Sequence, residues 1–574
     1  VYGDSGYESV ITFEVLGVSS TSDILVIDPQ LVWGTFYGGA NNADGPFSVD
    51  TDPSGNVFIA GYSYSNDFPV YNPGGGAYFQ GTKAGGITDA MIMKFTNSGV
   101  RLWATYYGGN NQEWGYFVAI DGAGNAFVTG NTASNDFPVH NPGGSAYFQG
   151  TNAGIIDAFI LKFTNSGVLQ WATYYGGNDT ESGYSLAVDG TGNVFVTGYT
   201  QSSNFPVQNP GGGAFYQATN ASVADVFILK FTNSGIRLWA TYYGGILFDY
   251  GHSVAVDGTG NVFVTGYTSS TNFPVFNPGG GAFYQGTRAG SSDAFILKFT
   301  NSGVRQWATY YGGSDDDAAY PLVVDGTGNV FVLGRTFSTN FPVFNPGGGA
   351  FYQGTHAGGF DAFILKFTNS GVRQWATYYG GTGNESMTEY DNIEVDACGN
   401  VYVGFRTTTS SFPHLLNSCD QQYYDDSYNG GTTDVILSLF SNTGALLWCT
   451  YVGGDGTDFQ FPLAVDVNNN LFASGEWTNV SNSTSYSYSL VNPGGGAYFD
   501  DTFNGGTDDG FILKFLPVPC PCPPLPHYLI SLHAQWHNSQ QTQALLSWQV
   551  QGDAATNQFV VERKVQDIWQ EVTV

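Results

Sequence analysis

SVAVDGTGNVFVTGYTSSTNFPVFNPGGGAFYQGTRAGSSDAFILKFTNSGVRQWATYYGG, from Ser253 to Gly313, holds four apolar segments of strand composition: SVAVD, NVFVTGY, AFILKF and VRQWATYY. DGTGN joins the first two and TNSG the last two. Both turns are rich in residues that tolerate positive φ or cap a turn with a side chain, so each pair is predicted to be an antiparallel hairpin. The unit recurs. Its WATYYGG phrase, or a close variant, places a tryptophan at Trp33, Trp103, Trp171, Trp239, Trp307, Trp375 and Trp448. From Trp103 to Trp375 the spacing is 68 residues each time, and the flanking intervals are 70 and 73. Such regularity is the signature of a repeat architecture.

Four antiparallel strands per unit make one propeller blade, and closing seven blades into a ring buries both faces of each and leaves only short edges. The expected fold is therefore all-β, a seven-bladed β-propeller of four-stranded antiparallel blades. The strand at Trp33 has no complete blade before it, and the last unit ends at Gly510 to Phe515 with no tryptophan strand after it. Leu31 to Tyr37 is thus predicted to complete the last blade as its outer strand, with the other three strands drawn from about Phe461 to Phe515.

Composition agrees. Hydrophobic residues make up 42%, aromatic residues 16% and charged residues 11%, with 80 Gly, which suits many short strands joined by glycine turns. Sixteen Lys plus Arg against 47 Asp plus Glu give a net charge of −31, so nucleic acid is not an expected partner. No apolar run reaches the roughly 18 residues of a membrane span, and the opening VYGDSGYESV lacks the regions of a signal peptide, so the chain reads as mature or as a fragment. Cys398, Cys419, Cys449, Cys520 and Cys522 are odd in number and show no zinc spacing. The first three fall within one repeat, where an oxidising compartment could pair two of them, or they could be isolated buried thiols.

Ten residues after each tryptophan, in the connection into the next inner strand, stands an acid: Glu113, Glu181, Asp249, Asp317, Glu385 and Asp458, with Asp44 one place later after Trp33. These seven are expected to form a ring near the channel mouth, where they could hold Ca²⁺ if backbone carbonyls completed the shell. The simpler expectation is that each carboxylate caps its own loop by accepting backbone hydrogen bonds. A second repeated acid, at Asp89, Asp157, Asp225, Asp293, Asp361, Asp434 and Asp509, precedes each third strand, where fixing a loop end is the expected role. The tryptophans, one per blade, are expected to pack between blades rather than to stack sugars. None of His140, His252, His356, His414, His527, His533 and His537 forms HExxH or a repeated nucleophile–base pair; His533 and His537 share a strand face but lack an evident third zinc ligand.

The VDGTGNVFVTG hairpin, the FPV followed by a Gly/aromatic loop, the DAFILKF strand and the WATYYGG ending closely resemble the bacterial SBBP family of β-propeller repeats, over roughly Leu31 to Phe515. Residues 1–30 look like the tail of an upstream β domain, and 31–516 are read as the propeller. PVPCPCPPLP, 517–526, reads as a stiff Pro/Cys-rich linker. Residues 527–574 alternate apolar and polar side chains and resemble a partial fibronectin type III-like module, an incomplete β-sandwich, of the kind found near the ends of Bacteroidota surface proteins. Export by the type IX route is what that resemblance implies.

Alternating strand directions put the short DGTGN and TNSG turns on one rim, and the inter-blade connections with the long NFPVFNPGGGAFYQGT loops on the other. The long-loop face is the expected binding face. The function expected is that of a non-enzymatic extracellular or cell-surface binding or scaffold protein, an adhesin or a subunit of a surface assembly. Its partners would be a glycan, matrix or protein ligand, or further copies of itself. The alternative is an extracellular polysaccharide-active hydrolase or lyase with a site at the channel mouth. SFPHLLNSCDQQYYDDSYNGG and EWTNVSNSTSYSYSL, in the divergent sixth and seventh units, are where its asymmetric groups would be sought.

Overall fold

The computed structural model describes residues 30–516, apart from 41, 222, 389–391, 413–424, 426, 429, 455, 479–489 and 504–506, together with four strands beyond them. The chain divides into two compact units, of which the larger, Val26–Val518, holds the propeller. Among the described residues there is no helix, and hence none long and apolar enough to cross a membrane.

Blade I is built from Asp44–Thr51, Val57–Ser63, Asp89–Phe95 and Arg101–Tyr107, hydrogen-bonded in that order. Blades II to V repeat the pattern, starting at Glu113, Glu181, Asp249 and Asp317. In blade VI the first strand is split into Glu385–Ser386 and Ile393–Val395, and in blade VII into Thr457–Phe459 and Leu463–Val465. First strands of neighbouring blades touch one another all the way round, which makes them the inner strands lining the axis. Each begins at the repeated acid, or at Thr457 one residue before it in blade VII, several residues earlier than the apolar segment alone suggested.

Leu31–Tyr37 supplies the outer strand of blade VII, antiparallel to Asp508–Phe515, with Leu31 opposite Phe515 and Tyr37 opposite Gly510. The ring is therefore closed by hydrogen bonds between the two ends of the propeller. Third strands such as Asp293–Phe299 are buried at every position, because both faces of a blade pack against neighbours.

Two repeated contacts join the blades. The outer-strand tryptophan of one blade packs on the last phenylalanine of the next blade's third strand, as in Trp103–Phe163 at 5.7 Å and Trp375–Phe440 at 5.7 Å. The ring lies against the TNSG turn, whose glycine has positive φ; a Cβ on Gly99 would come within 2.8 Å of the Trp33 indole. The second contact is polar. Lys94 of blade I donates to the Asn165 carbonyl of blade II at 3.1 Å, and the Asn165 amide donates back to Asp52 of blade I at 3.2 Å. The same lysine–asparagine–aspartate bolt recurs as Lys162–Asn233–Asp121, Lys230–Asn301–Asp189, Lys298–Asn369–Asp257 and Lys366–Asn442–Asp325. Across the closure it runs Lys514–Asn97–Asp466.

At the remaining junction, between blades VI and VII, the lysine is replaced by Leu439, which is fully buried. The reason is topological. The outer strand of blade VII comes from the N-terminal side of the propeller, so no TNSG turn follows Phe515 and no asparagine stands opposite position 439. A buried ammonium there would find Asp396 of its own blade but no asparagine carbonyl across the junction, and an aliphatic side chain avoids that incomplete set.

The second unit contains two hairpins: Tyr528–Trp536 pairs with Ala544–Gln551, and Val561–Val565 with Ile568–Val572. His533 lies in the first of these opposite Ser547. His414, His527 and His537 lie outside the described residues, as do Cys419, Cys520 and Cys522. Cys449 is a buried free thiol, and Cys398 is disulfide-bonded.

Leu439→Lys is expected to destabilise the propeller by about 1 to 3 kcal/mol, the cost of a buried ammonium that lacks its asparagine acceptor. Urea unfolding of the variant beside the parent measures it.

Candidate functional site

The seven ring acids stand at the starts of the inner strands and are completely buried. Each accepts a hydrogen bond, at 2.6–3.2 Å, from the backbone N–H of the second glycine in the preceding inter-blade connection: Gly39, Gly109, Gly177, Gly245, Gly313, Gly381 or Gly454. Hydroxyls at the end of the second strand add to this, as with Ser65 on Asp44 at 2.7 Å and Thr132 on Glu113 at 2.7 Å. This is the geometry of a loop cap. Among the described residues there is no group of three or more His, Cys, Asp or Glu that could hold a metal ion.

The structure brings the second set of acids to the same place. A Cβ on Gly108 would lie 2.5 Å from Glu113 Oε2 and 2.9 Å from Asp89 Oδ1; on Gly176 it would lie 2.4 Å from Glu181 Oε2 and 2.5 Å from Asp157 Oδ1. Two carboxylates, one from each blade, thus flank a single glycine. Asp89 Oδ2 accepts from Gln80 at 2.6 Å and from the Ala84 N–H at 2.9 Å, while Oδ1 has no partner among the described residues. Burial, with the facing acid adding to it, pushes Asp89 up to about 6 and Asp157 up to about 7. Burial likewise raises Asp249, Asp317 and Glu385 to about 7.

What differs from blade to blade lies closer to the axis. Each inner strand of blades I to V carries a β-bulge, and the bulged positions include Phe47, Tyr116, Tyr184, His252 and Tyr320. A bulge lets one side chain leave the alternation of the strand, and such irregularities recur beside binding sites. The residue before it is often glycine for lack of room: a Cβ on Gly251 would sit 2.5 Å from Thr197 Oγ1.

Over blades III to V these side chains form an aromatic basin of about 470 Å³, open on the long-loop face. Tyr199 and Tyr250 have ring centroids 4.8 Å apart, Tyr250 and Tyr267 5.1 Å, and His252 and Tyr320 4.7 Å. Tyr184 stacks on His252 at 5.6 Å. The four tyrosines 184, 199, 250 and 267 are half-buried, whereas His252 is 5% exposed and forms the floor. Burial, with Arg335 adding to it, lowers the His252 imidazole to about 3, so the ring is neutral; neither nitrogen has a partner among the described residues. Arg335 and Phe360 form the wall on the blade V side. Exposed Ile246, Leu247 and Phe248 make an apolar edge, and Phe248 lies parallel to Tyr250 at 6.3 Å.

Two members of this basin were singled out in the sequence, Asp317 as a ring acid and His252 only as a histidine outside any known motif. The two divergent segments named for an asymmetric site fall largely outside the described residues, although Glu476 is described: it is buried and accepts from the Tyr62 hydroxyl at 2.9 Å. The available signal was variation rather than recurrence. Third strands read DAFILKF or nearly so in successive blades, while inner strands read EWGYFVAI, ESGYSLAV, DYGHSVAV and DAAYPLVV.

Seven blades of one repeated design, closed by a strand from the other end of the ring, define a β-propeller repeat protein. Five of its segments, 32–69, 102–138, 170–206, 238–274 and 306–342, match the SBBP beta-propeller repeat. The chain is 20% identical to an uncharacterized WD repeat-containing protein of Acanthamoeba polyphaga mimivirus, over 88% of this chain and 40% of the relative. It is 28% identical to the regulatory protein FlaEY of Caulobacter vibrioides, over 63% of this chain and 35% of that protein. It thus spans less than half the length of either curated relative. Among solved structures it is similar to the polysaccharide lyase Uly1, with a TM-score of 0.40 and 9% identity over 86% of this chain and all of that one (100%). It is also similar to a protein of unknown function from Dyadobacter fermentans, with a TM-score of 0.38 and 10% identity over 85% and 99% of the two chains.

The junction acids make stability depend on pH. A carboxyl whose folded pKa lies above its unfolded value binds its proton more tightly when folded, so its contribution is full below the unfolded pKa and is lost as pH rises through the folded one. For Asp89, Asp157, Asp249, Asp317 and Glu385 that window runs from about 4 to about 7. Asp189 and Asp257, held at about 2 by side-chain and backbone hydrogen bonds that outweigh burial, act in the opposite sense and favour folding above about 4. Thermal unfolding is therefore expected to give the highest midpoint near pH 4 to 5 and a steady fall towards pH 8; a midpoint that rises over that range contradicts the assignment.

Proposed function

We propose that this protein is a non-enzymatic extracellular or cell-surface binding protein that takes a polysaccharide chain in the basin at the channel mouth. The observation that carries the reading is the set of half-buried ring faces, Tyr199, Tyr250 and Tyr267 foremost, lining an open cavity on a rigid frame. Sugar rings present C–H faces to aromatic planes and hydroxyls to polar edges, and a concave aromatic site with a few polar groups suits both. The recurring residues, in contrast, are occupied in holding the blades together.

Glycosidic hydrolysis uses two carboxyl groups set on either side of the scissile bond. The carboxylates of this basin are engaged elsewhere: Asp317 accepts from the Gly313 N–H at 2.7 Å and from Ser338 at 2.9 Å, and Asp316 accepts from the Ser291 and Ser292 hydroxyls. That engagement supports binding over hydrolysis. The disulfide at Cys398 accords with an oxidising compartment.

Affinity electrophoresis of the whole chain through gels holding different polysaccharides tests the reading. Tyr250→Ala and Tyr267→Ala are each expected to weaken retention about three- to tenfold without lowering the melting temperature, and incubation with the bound polymer is expected to release no oligosaccharide. Depolymerisation would establish an enzyme, and retention that ignores both tyrosines would place binding elsewhere.

A further inference from the structure

The basin contains a cation, Arg335, that forms no ion pair within 4 Å among the described residues. Arg335 lies on the second strand of blade V, opposite Ala318, with its guanidinium carbon 5.4 Å from the Tyr320 ring centre and 4.8 Å from that of Phe360. Among the described residues the ion pair within 4 Å is Lys94 with Asp52, and Arg335 makes neither an ion pair nor a hydrogen bond. In the next blade Arg406 occupies the same register, opposite Ser386, with its guanidinium 5.4 Å from the Phe459 ring centre and its buried Nε without a partner among the described residues. Blades I to IV place Tyr62, Asn131, Tyr199 and Tyr267 there.

Other arginines of the propeller are used internally. Arg101, Arg237, Arg305 and Arg373 each donate to a proline carbonyl in their own blade, at Pro69, Pro206, Pro274 and Pro342. With 47 acidic residues against 16 basic ones, carboxylates are abundant, yet among the described residues neither Arg335 nor Arg406 has one within 4 Å. Packing against ring faces restrains the guanidinium plane and leaves its edge, a rigid fork of N–H donors, available to an acceptor from outside. A planar carboxylate or a sulfate accepts two parallel hydrogen bonds from such a fork. His252, neutral and unpartnered on the floor, offers one donor and one acceptor, which suits a hydroxyl group.

We propose that the polysaccharide is an acidic one, whose carboxylate or sulfate is held by Arg335 with Arg406 beside it while His252 takes a neighbouring hydroxyl. This rests on the polysaccharide-binding reading and adds the charge of the polymer. The net charge of −31 repels a polyanion at long range, so recognition depends on short-range hydrogen bonding at the fork rather than on the overall field.

The test is titration calorimetry on the whole chain with two matched pairs of polymers: polygalacturonate against its methyl ester, and dextran sulfate against dextran. The expected result is binding to polygalacturonate or to dextran sulfate, with the uncharged member of the pair binding at least about tenfold more weakly; which pair responds identifies the anion. Arg335→Gln is expected to cost about ten- to a hundredfold in affinity, Arg335→Lys to restore part of it, and Arg406→Gln to cost less. Arg373→Gln, which removes the same charge from the outer strand of blade V, is expected to leave binding unchanged. Melting curves check that each variant is folded. Equal affinity for charged and neutral polymers, or an affinity indifferent to Arg335→Gln, overturns the acidic ligand while leaving a sugar-binding basin standing. Binding to none of the four polymers or to any neutral glycan overturns both.

Discussion

The propeller depends on the contact between one blade's outer strand and the next blade's turn. A lone four-stranded sheet with two apolar faces has no stable existence in water, and each blade is covered only because its neighbour presents a tryptophan and accepts a lysine. The apolar half of that contact gives the affinity between blades; the lysine–asparagine–aspartate bolt fixes their relative height, because its hydrogen bonds form at one offset only. Leu439 shows the bolt's logic from the other side. Where the chain path removes the turn that would receive a lysine, the lysine is gone as well.

The same economy governs the acids. Each inter-blade connection must turn sharply and run inward with several N–H groups out of reach of water, and the carboxylate at the head of the inner strand satisfies one of them. Burying the second carboxylate across the same glycine is costly, and burial first, with the facing acid adding to it, raises the pKa values of Asp89 and Asp157. These sites are therefore a structural device, and at Asp89, Asp157, Asp249, Asp317 and Glu385 its protonation follows the surrounding pH.

The ring was legible in the sequence because its physics repeats. The spacing of Trp103 to Trp375 set the unit, DGTGN and TNSG set the hairpins, and the unmatched strands at Leu31 and Gly510 foretold the closure. The ring acids were legible too, and the capping that was the simpler expectation for them is the geometry seen. The basin was not legible, for two reasons. Its tyrosines recur only in part, giving way to His252 at the bulge and to Arg335 on the second strand, so the site lies where the recurrence breaks, and a bulge turns Tyr184, His252 and Tyr320 out of the two-residue alternation by which a strand's faces are read. Pairing of Arg335 with Phe360 and Tyr320 joins three separate segments, a proximity that only the closed blade supplies. The segments of the last two units drew attention because those units diverge from the repeat, whereas the basin sits in blades III to V, which keep its spacing.

The way the ring is closed also decides how it bears load. Leu31 and Phe515 are register partners, so chain enters and leaves the propeller at the same end of the same pair of strands. Tension applied across the propeller through these two points would not stretch the disc. It would open that pair from its end, one hydrogen-bonded rung at a time, as a zip is drawn rather than as a rope is snapped. Such geometry yields at low force, and the six blades with all strands contiguous in sequence carry none of the load until the seventh has let go.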